Sequence, residues 1–162
     1  MAAEPEAAGG PARRLRLVGG CHCGNVEFVF EIARAPAELA VRACQCSFCR
    51  RHGGRTVSDP NGRLEILVHE PAGLSRYRFG LGTAEFLVCR RCGVYVGAIM
   101  AEADAAWAIV NVNALATPEA FAEGAVPVSY DRETDSERRA RRRARWTPAR
   151  VIEAARAAPA RG

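Results

Sequence analysis

The sequence predicts a mainly β protein of several small antiparallel sheets, and three observations lead there. Apolar and polar residues alternate over short runs, as in NVEFVFE (25–31), where Val26, Phe28 and Phe30 face one side and Glu27, Val29 and Glu31 the other. Such runs recur along the chain, separated by Gly, Pro, Asn and Asp, whose backbone preferences make turns. All seven cysteines fall in three tight groups where strands should end: CHCG (21–24), CQCSFC (44–49) and CRRCG (89–93).

Taken in order, residues 1–12 are rich in Ala, Gly, Pro and Glu and are expected to form a flexible leader. RLRLV (14–18) alternates and is the first strand; NVEFVFE is the second. ARAPAEL (33–39) is a connection broken by Pro36, and LAVRA leads straight into the cysteine triplet. RTVSDPNGRLEILV offers two short strands around the turn DPNG (59–62). LSRYRFG and AEFLVC follow as strands around a glycine turn at 80–82, then YVGAIM and WAIVNVNAL (107–115). TPEAFAEG has the composition of one helical turn. A helix is predicted from Asp135 to Trp146, with acids in its first turn, arginines towards its end and Pro148 after it.

The composition bounds the answer. A chain of 162 residues with 49% apolar content can bury one genuine core. The division expected is the leader, a domain over 13–130 and an arginine-rich extension over 131–162, partly helical. Two glutamates precede the first arginine and no continuous apolar run follows, so neither a signal peptide nor a membrane span is expected. The expected location is the cytoplasm, where thiols stay reduced. Seven is odd, and reduced cysteines this tightly grouped point to metal or redox chemistry.

Every basic residue is an arginine, and six of the 23 stand in one run at Arg138, Arg139, Arg141, Arg142, Arg143 and Arg145. Removing those six charges from the formal +5 leaves the rest of the chain near −1. Binding of nucleic-acid phosphates would rest on that run alone. The acids Asp131, Glu133, Asp135 and Glu137 directly upstream argue against it.

The cysteine spacing is the chemical signal. CRRCG has the two-residue spacing of a zinc knuckle, and CHCG is tighter; both end in glycine, which reaches backbone angles other residues avoid. Cys21, Cys23, Cys89 and Cys92 make the four ligands of a closed zinc site. Cys44, Cys46 and Cys49 make three, enough to hold zinc with a position left open. Other partitions also reach four ligands, with His52 or His22 supplying one. A redox pair at CRRC is a further alternative, although the αβ setting of such pairs is missing.

GGCHCGNVEF, then CQCSFCRRHGG, then EFLVCRRCGVYVG closely resemble the glutathione-dependent formaldehyde-activating enzyme family, which includes the centromere protein V-like proteins. The resemblance covers roughly residues 15–115. It implies an Mss4-like fold of small curved β-sheets with two zinc ions per chain. One would be structural, on Cys21, Cys23, Cys89 and Cys92; the second would lie at the active site, on Cys44, Cys46 and Cys49. It also implies a carbon–sulfur lyase-type reaction interconverting glutathione plus formaldehyde with S-(hydroxymethyl)glutathione, or the same chemistry on a related thiol and aldehyde. RRHGGRTVSDP stands where the family more usually has a lysine-containing, aromatic-rich continuation, so the substrate is less fixed than the metal.

Arg50, Arg51 and Arg55, close to the triplet, are candidates for holding substrate carboxylates, because guanidinium makes paired hydrogen bonds to carboxylate. Asn111 and Asn113 are expected on one face of the WAIVNVNAL strand, bordering a pocket. Phe48 is expected to cover the site, and Tyr95 and Trp107 to pack in the core or at its rim. A zinc-held module that binds glutathione or another small ligand without turnover is the alternative function.

Overall fold

The computed structural model describes residues 14–154, so the leader lies outside the described residues. Among these residues eleven strands are present: β1 (Leu15–Gly20), β2 (Val26–Ile32), β3 (Arg42–Cys44), β4 (Thr56–Val57), β5 (Arg63–Val68), β6 (Leu74–Tyr77), β7 (Glu85–Cys89), β8 (Tyr95–Glu102), β9 (Ala105–Asn111), β10 (Val126–Val128) and β11 (Thr147–Glu153). Two α-helices join them, the short α1 (Ser47–Arg51) and the longer α2 (Asp135–Arg145). The protein is mainly β, with all the strands connected in one sheet.

The alternation in NVEFVFE does what period two requires. In β2, Val26, Phe28, Phe30 and Ile32 are buried and pack with Leu64, Ile66 and Val68 of β5. Each such side chain taken from water contributes about 1.5–3 kcal/mol. The strand order runs β1-β2-β5-β11-β9-β4-β3-β10, and a branch carries β8, β7 and β6 from the other edge of β9.

Two pairings are parallel, β3 with β10 and β5 with β11, where the sequence predicted antiparallel sheets throughout. The physical reason is the return of the chain's far end. β11 enters between β5, which it meets parallel from Ala149 to Glu153, and β9, which it meets antiparallel at Thr147 and Pro148. Thr147 is fully buried and its Oγ1 accepts the Asp59 backbone N–H at 2.8 Å. Pro148, expected only to stop a helix, is the second residue of this strand, near its start where a missing N–H is tolerated.

The segment after residue 130 thus contributes β11 to the sheet, with α2 leading into it. α2 has a capping box at its start: the Glu137 carboxylate accepts the Thr134 N–H at 2.8 Å, and Thr134 Oγ1 accepts the Glu137 N–H at 3.3 Å. Its arginines are largely spoken for. Arg139 pairs with Asp135 and Glu102, Arg143 with Glu102, and Arg138 and Arg141 with Glu133. Four of the six arginines of the run thus share three carboxylates, Asp135, Glu102 and Glu133, which lowers the charge it displays without cancelling it. Among the described residues, no helix is long and apolar enough to cross a membrane.

Candidate metal centres and active site

Two turns of similar build bring four sulfurs together. After β1, the Cys21 N–H bonds to Val26 O at 2.8 Å and the Gly24 N–H to Cys21 O at 3.2 Å. After β7, the Cys89 N–H bonds to Val94 O at 3.0 Å and the Gly93 N–H to Cys89 O at 2.9 Å. Gly24 and Gly93 have φ of 79° and 76°, the left-handed region that explains both glycines.

The ligand atoms of Cys21, Cys23, Cys89 and Cys92 all lie within 4.8 Å of one another. Sγ of Cys23 is 3.7 Å from that of Cys21 and 3.5 Å from that of Cys89. A tetrahedral ion with metal–sulfur bonds of about 2.3 Å separates its sulfurs by about 3.8 Å, so the donor set fits zinc. Burial pushes the Cys92 thiol up, but backbone donors at Val94 and Cys23 outweigh it and bring its pKa down to about 6. This cluster is a set of soft donors with one thiol already inclined to ionise.

Cys44, Cys46 and Cys49 form the second cluster, again within 4.8 Å. Cys44 ends β3, Cys46 caps α1 with its Sγ accepting the Cys49 N–H at 3.4 Å, and Cys49 is buried in the helix. A hydrogen bond from the Cys49 thiol brings the pKa of Cys44 down to about 6 against the effect of burial. The same bond, with burial added, drives Cys49 up. The Tyr95 hydroxyl is buried without a hydrogen-bond partner. Burial, followed by the charge of Cys49, Cys44 and Cys46, holds it well above the ordinary phenol range. Three sulfurs and an unsatisfied hydroxyl at one place fit a site completed by a further group.

Rings enclose this cluster. Phe48 on α1 packs against His52, Tyr77, Phe79, Phe86 and Tyr95, with centroids 4.4–5.7 Å apart. Phe48 thus anchors a ring cluster of which Phe79 and Phe86 border the cysteine cavity, and four of its partners are far away in sequence. A cavity of about 80 Å³ opens on all three cysteines and on Phe79, Phe86 and Ile109.

The arginines and asparagines expected here lie elsewhere. Arg50 and Arg51 are exposed on α1, and Arg51 donates to the Ser47 carbonyl in its own helix. Arg55 donates to the Phe121 carbonyl at 2.6 Å. None of the three borders the cavity. Asn111 and Asn113 do not share a strand face, because β9 ends at Asn111. There the Asn111 side chain accepts the N–H of Asn113 and starts a 3-10 turn. Its amide also donates to Tyr95 O at 2.9 Å, and that of Asn113 to Gly53 O at 2.9 Å, so both are committed to holding loops.

A sequence model described as glutathione-dependent formaldehyde-activating enzyme matches residues 16–128, which include all seven cysteines. The chain belongs to this family. A crystal structure of a Rhodobacter sphaeroides protein is similar to this member of the glutathione-dependent formaldehyde-activating enzyme family at 34% identity. The likeness covers 70% of this chain and 99% of that one, with a TM-score of 0.50. The family match stops before α2 and β11. Six residues of the cavity wall thus come from beyond it: Tyr130, Asp131, Arg138, Arg141, Arg142 and Trp146. The sequence did signal the basic run, but not where it would fold back.

Proposed function

We propose that this protein interconverts a thiol plus formaldehyde with the S-hydroxymethyl adduct, the thiol being glutathione or a related compound. Zinc at Cys44, Cys46 and Cys49 would serve the reaction, and zinc at Cys21, Cys23, Cys89 and Cys92 would hold an Mss4-like fold, giving two ions per chain. The observation that carries this is the division of the sulfurs. Three meet at a cavity, while the other four meet where none of them borders it. Family membership supports glutathione and formaldehyde as the reacting pair. The seven free thiols suit a cytoplasmic setting.

In the forward direction the thiol sulfur bonds to the aldehyde carbon, the carbonyl π pair moves to oxygen, and the proton lost by the thiol ends there. Bound zinc would supply Lewis-acid polarisation of the aldehyde oxygen, or keep the thiol as thiolate at neutral pH. The rings of Phe79 and Phe86 on the cavity wall would limit water around the reacting atoms. Burial and the neighbouring cysteines hold the Tyr95 hydroxyl well above the ordinary phenol range, which disfavours it as a base.

The test is exchange-sensitive NMR of glutathione and its hydroxymethyl adduct on metal-quantified protein. Exchange should exceed the spontaneous rate and fall when Cys49→Ala removes a ligand. No increase at any glutathione concentration, with two zinc ions confirmed, would sink the activity. Saturable glutathione binding without exchange would instead make the protein a non-catalytic carrier.

A further inference from the structure

The thiol chemistry proposed above leaves unexplained the charge on the cavity wall. Arg42 of β3 and Arg138, Arg141 and Arg142 of α2 border the cavity, against one acid, Asp131. Arg141 is neutralised: its Nε and Nη2 donate to the two oxygens of Glu133 at 2.6 and 2.9 Å, and its guanidinium lies 3.6 Å from the centre of the Tyr130 ring. Arg138 donates to the Tyr130 carbonyl at 2.6 Å and sits 3.6 Å from the same Glu133.

Arg142 and Arg42 have no such partner. Arg142 is 7% exposed, stacks on Trp146 and donates Nη1 to Thr83 Oγ1. Its Nε is buried with nothing to bond. Arg42 donates to Ser58 Oγ. Among the described residues, neither guanidinium is paired with a carboxylate. Burial, then the neighbouring Arg141 and Arg138, brings the Arg142 pKa down to about 10. Burying a cation without an anion is unfavourable by several kcal/mol per ion. Three thiolates on the proposed zinc would put one net negative charge on the same wall, so with Asp131 and Glu133 counted the four arginines keep an excess of one positive charge for an incoming anion.

We propose that Arg142, with Arg42 as the second cation of the same cavity, receives a carboxylate of the thiol substrate, so that the site selects thiol acids over neutral thiols. This rests on the thiol reaction proposed above. Guanidinium offers carboxylate two parallel hydrogen bonds, and the surrounding rings strengthen them by excluding water. At about 80 Å³ the cavity is far below the roughly 300 Å³ of the smallest drug-sized pockets, so it admits a compact acid end. Because Arg142 lies beyond residue 128, this selectivity belongs to a part of the chain outside the family match.

Two measurements test it on zinc-loaded, full-length protein. In the first, propionate, which has no thiol, is titrated while Trp146 fluorescence and the arginine Nε–H NMR signals are followed. Saturable binding that shifts the Arg142 signal is expected, weakened at least tenfold by Arg142→Gln and partly restored by Arg142→Lys. In the second, formaldehyde exchange is compared for 3-mercaptopropionate and 2-mercaptoethanol. The acid should be favoured at least tenfold in kcat/KM, and Arg142→Gln should bring the ratio near one. If Arg142→Gln does not fold, Arg42→Gln takes its place in both. Propionate binding that depends on these arginines, without any thiol exchange, upholds the carboxylate receptor while ending the proposed reaction. Exchange without charge preference, or propionate that leaves the Arg142 signal unmoved, overturns the receptor and leaves the reaction standing.

Discussion

Gly93 and Cys44 show how much of the chemistry rests on single residues. An ideal Cβ on Gly93 would meet nothing within 4 Å, so its need for glycine comes from the backbone angle alone. Gly93→Ala should therefore cost about 1–2 kcal/mol in chemical denaturation, the ordinary penalty for a left-handed non-glycine residue. A larger loss would mean that the sulfurs of Cys89 and Cys92 had also been misplaced. Cys44 makes a pH prediction. Since its thiol and that of Cys92 are both brought down to about 6, protein stripped of metal under native conditions should alkylate first at Cys44 and Cys92. The rate should be flat above about pH 7 and fall as the pH drops through 6, while buried Cys49 reacts last. Peptide mapping of the labelled thiols reads both. The grouping of the cysteines was plain in the sequence because metal ligands on one turn must be close along the chain. Tyr95, Phe79 and Phe86 were not, because a ring's place against Phe48 is set by how separate strands pair.

Among the elements, the two cysteine turns have different duties. Cys21 follows β1 and Cys89 ends β7, so their cluster ties together strands 66 residues apart between Cys23 and Cys89. Cys92→Ala should abolish cooperative folding, because metal binding at such a site is folding energy. Cys49→Ala should leave a cooperative melt and remove only the metal at the triplet. A folded Cys92→Ala protein that has lost substrate binding alone would reverse the two assignments. Strand pairing gives a smaller test. Arg76 on β6 bonds Glu85 of β7 at 2.8 Å and Glu153 of β11 at 2.6 Å. Burial pushes Glu85 up, but Arg78 and Arg76 outweigh it and hold its pKa below the ordinary value. Arg76→Ala should cost about 1 kcal/mol at pH 7. A depressed carboxyl stabilises above its unfolded pKa and loses that contribution as pH falls through the folded value. The difference should therefore vanish in urea melts well below pH 4. Most strands were legible from period two and turn residues. β10, β11 and α1 were not, being short or carrying proline and mixed polar residues that local pattern does not distinguish from loop.

At the scale of the molecule, β11 is what makes the sheet continuous, since β5 and β9 meet only through it. Ending the chain at Tyr130 should destroy the cooperative unfolding transition and expose Leu64 and Ala108, both fully buried in the intact protein. Calorimetry of the shortened protein decides this; an unchanged melt would show that the two halves stand without their link. The sequence placed this segment outside the domain because nothing local announces a partner some 85 positions earlier, as Ala149 is to Leu64. That separation also bears on the order in which the protein folds. The hydrophobic strands β2 and β5 can pair early, but β5 then waits with one edge bare until β11 arrives. Contacts this distant in sequence form late and slow folding. For that interval the chain presents an unpaired apolar strand, the template on which a second chain can add its own. Crowded expression should thus turn slow docking of one strand into aggregates, and lower temperature or slower synthesis should rescue the yield.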